Sequence, residues 1–123
     1  MAKKRMLIVD DVSQVRQDLC MVLRLLPYDL EIVGEAANGL EAIQQTEALQ
    51  PDVILMDLEM PLLDGYRATQ EIKSQHPSCW VIALTIHDYN EARQKAFQAG
   101  ADAFILKGEP VQNLVQAILD KKE

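Results

Sequence analysis

Cysteine is nearly missing from this chain, with only Cys20 and Cys79 among 123 residues. Neither belongs to a C-x-x-C or Cys/His ligand pattern, so a disulfide scaffold and a zinc site are both excluded and a reducing cytoplasm fits best. Long apolar runs are absent too. The basic N-terminus is followed by an apolar stretch of only Met6 to Val9, far short of a signal-peptide core or a membrane span, so an exported or embedded chain is not expected. Positive charge is in deficit, 12 Lys and Arg against 19 Asp and Glu, giving a net charge of −7. That field repels phosphate backbones and anionic membrane surfaces, and nucleic-acid binding by this segment alone is not expected. What is present is an ordinary globular composition, 49% hydrophobic and 25% charged, at a length that fits one domain. A chain of this size buries roughly two-thirds of its unfolded surface and needs no metal or disulfide to hold a core. No repeat, low-complexity tract or Gly/Ser-rich linker interrupts it.

Five short apolar runs, at residues 5–9, 30–36, 53–56, 80–84 and 103–106, read as strands. The first, third and fourth are apolar on both faces, as a parallel sheet covered by helices on both sides requires. Segments with helical spacing lie between them. Val15, Leu19, Val22 and Leu26 form a stripe that ends at Pro27, flanked by Cys20 and Leu23, which makes Cys20 a core filler rather than a reactive thiol. A second helix follows Asn38-Gly39 toward Leu49 with Leu40, Ala42 and Ile43 inward, and stops at Gln50-Pro51. The third covers residues 66–75, the fourth 89–99 with Gly100 as its cap, and the fifth 111–121 with Val111, Leu114, Val115 and Ile118 inward. Strand and helix alternate as (βα)5. Right-handed crossovers leave few topologies for such units, and the doubly wound order 2-1-3-4-5 is the commonest, with strands 1 and 3 adjacent at the switch point.

Asp10, Asp11, Asp57, Thr85 and Lys107 all stand just after predicted strands. In a parallel sheet those ends share one edge, and ligands bind there, at the switch point. Each residue has a plainer reading: Asp11 or Ser13 as a cap for the next helix, Thr85 as a loop hydroxyl, Lys107 as a solvated strand end. Together they make a coherent chemistry. Three carboxylates in one crevice repel one another, and a hard divalent cation relieves them; Mg²⁺ suits few carboxylates and a shell shared with phosphate. A carboxylate can then attack a phosphoryl group, with Lys107 adding a second positive charge and Thr85 a hydroxyl donor.

The segment Leu7-Ile8-Val9-Asp10-Asp11, the stretch Asp57-Leu58-Glu59-Met60-Pro61-Leu62-Leu63-Asp64-Gly65, then Ala83-Leu84-Thr85, Gly100-Ala101-Asp102-Ala103-Phe104 and Leu106-Lys107 occur in this order. The chain thereby resembles, over residues 1–123, the receiver domain of bacterial two-component response regulators, a flavodoxin-like fold. The D-x-x-M-P-x-x-D-G loop is the most specific signature. The resemblance implies that Asp57 accepts a phosphoryl group from the phosphohistidine of a sensor histidine kinase, a stoichiometric transfer rather than enzyme turnover. Asp11 and Asp57, with the backbone carbonyl of Glu59, would ligate Mg²⁺, and Asp10 would act mainly through bound water. Thr85 and Lys107 would hold phosphoryl oxygens. Thr85 and Phe104 are nominated as the switch pair, with helix 4, strand 5 and helix 5 as the output surface. Pairing of two copies through that surface or through other helices stays open.

Two departures from the family pattern stand out. Gly108 follows Lys107 where the family usually has Pro, so the cis bond often found there is not secured, a non-proline cis peptide costing about 3 kcal/mol. Phe104 stands where Tyr is common, so apolar packing must do the switching. With the segment Ala99 to Lys107, these features resemble the subgroup whose members carry a C-terminal helix-turn-helix DNA-binding domain, which this chain does not contain. Glu59 and His87 are expected to flank the path of water to the aspartyl phosphate and to set its lifetime. His76, before Pro77, reads as a surface loop residue. Three competing functions have specific difficulties. A flavin carrier needs a Ser/Thr/Gly-rich phosphate loop after strand 1, where Asp10-Asp11 would repel it. An aspartyl-phosphate phosphohydrolase of the haloacid-dehalogenase kind needs an acid two residues beyond its nucleophile, where Val12 stands. A docking module that is never phosphorylated would have no use for the complete residue set.

Overall fold

A computed structural model of the chain describes residues 3–87 and 90–121. Ten elements alternate: β1 (Lys4–Val9), α1 (Ser13–Leu25), β2 (Leu30–Ala36), α2 (Gly39–Leu49), β3 (Val53–Asp57), α3 (Gly65–Gln75), β4 (Trp80–Thr85), α4 (Asn90–Gln98), β5 (Ala103–Leu106) and α5 (Val111–Leu119). All strand pairings are parallel, and the order is β2-β1-β3-β4-β5, as the sequence predicts. Register puts Val9 beside Met56 and Asp57 beside Leu84, so the strand ends share one edge.

The two-sided strands split their side chains between two cores, because successive residues of a strand point to opposite faces. Met6, Ile8, Leu55 and Ile82 pack with Cys20 and Leu23 of α1 and Leu114 and Ile118 of α5. Leu7, Val9, Ile54 and Met56 pack with Ala42 of α2 and Ala68 and Ile72 of α3. α4 covers the end of the second face with little apolar bulk. Only its Ala92 and Ala96 are buried, against Leu58, Ala83, Ala101 and Phe104. Its flanks are tied by cations over rings, with the Arg93 guanidinium 4.8 Å from the Phe104 centroid and Lys95 Nζ 4.4 Å from that of Tyr66.

Helix rotations differ from the sequence reading at several positions. Val22, Leu40 and Val111, expected inward, are exposed; Ala42, Leu114 and Ile118 are buried as expected, and Cys20, Leu23, Thr46 and Ala117 are buried beside them. Apolar spacing fixes a stripe but leaves its rotation uncertain by a residue. The cap of α1 is neither Asp11 nor Ser13. Its N-cap is Val12, with no side-chain bond, and Asp10 Oδ1 instead accepts from the Val12 amide at 2.9 Å. α2 has a reciprocal cap: Asn38 accepts from the Glu41 amide while Glu41 accepts from that of Ala37. α4 ends at Gln98 and α5 at Leu119, each short of its expected end, and Gly100 turns the chain at φ +106°. The expected start of α4 at Tyr89 lies outside the described residues. Both thiols are free and buried, and burial raises their pKa, that of Cys79 to about 11, in keeping with inert core positions.

At the opposite edge from the strand ends, Lys73 Nζ donates to Pro77 O (3.0 Å), Cys79 O (2.7 Å) and Asp102 Oδ2 (2.9 Å). Asp102 Oδ2 also accepts from the Val81 amide at 2.8 Å, so one ammonium ties α3, the turn into β4 and the turn into β5. Lys73→Met leaves three acceptors short of a donor and is expected to lower the unfolding free energy by about 3 kcal/mol, read by urea denaturation.

Candidate functional site

The carboxyl ends of β1, β3, β4 and β5 deliver the polar residues that the sequence singles out. Asp10 and Asp11 follow β1, and Lys107 follows β5; Asp57 and Thr85 are the last residues of β3 and β4 rather than the first beyond them. Their backbones still pair, Asp57 with Leu84 and Thr85 with Leu106, while their side chains stand at the rim. Asp10 is 1% exposed and Asp57 5%, whereas Asp11 is open to solvent. Carboxylate oxygens of these three acids lie within 4.8 Å of one another. Lys107 Nζ donates to Asp10 Oδ2 at 2.7 Å and sits 3.3 Å from Asp57 Oδ1, closing the pocket from the β5 side.

Charge in this pocket is unevenly settled. Burial, reinforced by the Asp10 charge and only partly offset by Lys107, pushes the Asp57 carboxyl up to about 6. Burial works against the charged form of Lys107, but its hydrogen bond to Asp10 and the charges of Asp57 and Asp10 outweigh that and raise its pKa. One ammonium facing three acids leaves negative charge over. The donor set, all hard oxygen and partly open through Asp11, fits a small hard divalent cation such as Mg²⁺.

Two loops close over the rim. Thr85 Oγ1 accepts from the His87 amide (3.1 Å) and donates to Glu59 Oε1 (3.4 Å). His87 Nε2 lies 2.7 Å from Glu59 Oε1 and 2.9 Å from Oε2, joining the β3–α3 loop to the segment after β4. The Glu59 amide points back to Asp57 Oδ1 at 3.4 Å. The Asp-Gly that ends the loop motif has a steric reason: Asp64 caps α3 through the Arg67 amide, and a Cβ on Gly65 would stand 2.1 Å from Asp57 O. Beyond Lys107 the peptide is trans, and Gly108 takes φ +94°, which a proline ring locked near −65° could not adopt.

Phe104 lies apart from this cluster, buried between β5 and α4 under Arg93. His76, expected in a surface loop, is at the end of α3 with Nε2 3.1 Å from Glu47 Oε2. Arg16 is the site-adjacent cation that the sequence reading passes over. From the first turns of α1 its Nη1 donates to Asp10 O at 2.6 Å, and its Nε to Glu35 Oε1 at 3.1 Å. The available signal is an arginine one turn into the helix that follows an acidic pair.

The chain matches the model of the response regulator receiver domain over residues 6–119. It is 36% identical to the response regulator GacA of Pseudomonas viridiflava over 93% of this chain and 53% of GacA. It is equally similar, at 36%, to the chemotaxis protein CheY of Halobacterium salinarum over 95% of each. Among solved structures, a DNA-binding response regulator of the LuxR family from Staphylococcus aureus superposes with a TM-score of 0.87 at 30% identity, covering 94% of this chain and 96% of that one. The chain belongs to the response regulator receiver domain family, the signalling modules of two-component systems, which generally use Mg²⁺. It spans about half the length of several curated relatives it matches, GacA among them. No helix among the described residues is long and apolar enough to cross a membrane.

Proposed function

We propose that residues 1–123 form one phosphoacceptor domain that takes a phosphoryl group onto Asp57 from the phosphohistidine of a sensor histidine kinase. The observation that carries this reading is Lys107 Nζ bridging Asp10 Oδ2 (2.7 Å) and Asp57 Oδ1 (3.3 Å) beside the exposed Asp11. An Asp57 oxygen attacks phosphorus as the bond to the imidazole nitrogen breaks, leaving an acyl phosphate on the protein and histidine on the donor. Asp11, Asp57 and the Glu59 carbonyl are the groups we assign to hold Mg²⁺, with Asp10 acting through water; the ion would supply positive charge to offset that of the phosphoryl oxygens. Lys107 exchanges its contact with Asp57 for a phosphoryl oxygen, and the Thr85 hydroxyl turns from Glu59 to another. The protein is the substrate of this chemistry, not a turnover catalyst.

Thr85 and Phe104, the latter packed against Ala92 and Ala96 of α4, are the pair we assign to the switch, with the face of α4, β5 and α5 carrying the change outward. Shifting a 1:99 balance of inactive and active forms to 99:1 takes roughly 5.5 kcal/mol, within reach of a dianion gripped by Lys107, Thr85 and a divalent cation. Transcription control through a DNA-binding domain is the output we favour, on the similarity to the Staphylococcus aureus protein, with the cytoplasm as the place of action.

The test is intact mass after incubation with acetyl phosphate and Mg²⁺. One added phosphoryl group, mapped to Asp57, is the expected result; an unmodified mass, or a group mapped elsewhere, refutes the assignment. Glu59, whose amide lies 3.4 Å from Asp57 Oδ1, pairs with His87 at 2.7 Å, and on the reading that the two flank the path of water, exchanging both for Ala is expected to shorten the phosphorylated lifetime about tenfold, or ~1.4 kcal/mol of barrier. An unchanged half-life, followed by loss of the labelled mass, would remove these two residues from that role.

A further inference from the structure

Asp10 is held from two sides. Lys107 takes its carboxylate at 2.7 Å, and the Arg16 guanidinium takes its main-chain carbonyl at 2.6 Å. The carbonyl belongs to the peptide that leads into Asp11, the acid that faces solvent. Val12, the N-cap of α1, contributes no side-chain bond, and among the described residues the turn is otherwise tied by the Asp10 amide to Ala36 O (3.1 Å), the Val12 amide to Asp10 Oδ1 (2.9 Å) and the Arg16 amide to Val12 O (3.2 Å), none of which holds the Asp10 carbonyl. Arg16 is itself anchored at its other end by Glu35 on β2, at 3.1 Å, with its side chain 17% exposed. The Arg16 guanidinium reaches the carbonyl and the carboxylate through two different nitrogens of one rigid plane, whereas a lysine at this position would have to reach both from a single nitrogen on a flexible stem.

We infer that Arg16 is a positioning residue for the acidic pocket: by clamping the Asp10 carbonyl to Glu35 it sets the direction in which Asp11 meets Asp57, and so the pocket's affinity for a divalent cation. This rests on the Mg²⁺-dependent reading given above. Charge and positioning pull in opposite directions here, which makes the idea decidable. Acting only through space, a cation beside the pocket repels Mg²⁺, and its removal tightens binding. Acting by positioning, its removal weakens binding, and loss of a residue that orients a ligand commonly lowers metal affinity 10–100-fold.

The experiment is Mg²⁺ titration calorimetry on the wild-type chain, R16M, R16K and E35Q, alongside phosphorylation rates by intact mass at low and saturating Mg²⁺. R16M is expected to bind Mg²⁺ at least about tenfold more weakly. R16K keeps the charge without the fork and should recover only part of that loss, and E35Q should show a smaller weakening of the same sign. The rate deficit of R16M should close at saturating Mg²⁺, as a fault in metal capture would and a general loss of structure would not. Binding by R16M equal to or tighter than wild type overturns the inference. Should R16M fail to fold, R16K decides, and wild-type affinity in R16K overturns it equally. A wild-type chain that takes up no Mg²⁺ and no phosphoryl group would instead overturn the metal reading, taking this inference with it.

Discussion

Asp57→Asn is expected to abolish phosphorylation and, at the same time, to make the protein more stable at neutral pH. The folded carboxyl titrates near 6 and the unfolded one near 3.8. A carboxyl whose pKa is raised by folding binds its proton more tightly in the folded state, so the wild type loses stability as pH climbs from below 3.8 to above 6 and carries the full penalty beyond. The gap of about two pKa units corresponds to roughly 3 kcal/mol. Asparagine has no charge to desolvate and escapes it. The variant should therefore melt roughly 10 °C above wild type at pH 7.5, with the margin vanishing below pH 4. Excess Mg²⁺ should narrow the margin from the other side by stabilising the wild type. Thermal melts across pH check the sign: a variant no more stable than wild type at pH 7.5 would show that Lys107 fully neutralises Asp57.

The second large effect concerns a residue with no chemistry of its own. Gly65→Ala places a methyl group 2.1 Å from Asp57 O and 2.7 Å from Leu58 Cα. No rotamer relieves a clash between Cβ and backbone, so α3 must shift away from the end of β3. A loss of about 3 kcal/mol is expected, at the upper end for overpacking, together with a fall in the phosphorylation rate, because the displaced backbone is the one that carries Asp57. Urea denaturation and intact-mass kinetics read the two effects. Wild-type values for both would mean that the approach of α3 to β3 can relax at no cost.

Where the sequence predicted well, side-chain polarity and backbone geometry reported the same thing. Runs such as Ile54-Leu55-Met56 are buried on both faces, and only a sheet sandwiched between helices accommodates that. The residues brought together at the rim were legible because a polar side chain after such a run has only the strand end to occupy. β3 and β4 each run one residue past their expected ends, through Asp57 and Thr85, because a ladder ends where backbone pairing ends, not where polarity begins. The orientation of Leu40 and Val111 was not legible, since a short amphipathic helix can settle a residue either way around its axis. The contact of Arg16 is not legible for a different reason: its partner is a carbonyl, and main-chain acceptors leave no trace in residue types.

The lean underside of α4 has a mechanical meaning. Buried through the methyl groups of Ala92 and Ala96 and roped along its sides by Arg93 and Lys95, it can tilt or slide while opening voids hardly larger than a methyl group. At ~0.8 kcal/mol per buried methylene, such travel costs only a few kcal/mol. α1 and α5 bury leucine and isoleucine instead, so the same displacement there would open larger voids. The molecule thus combines helices anchored by large apolar side chains with one, α4, that rests on two methyl groups.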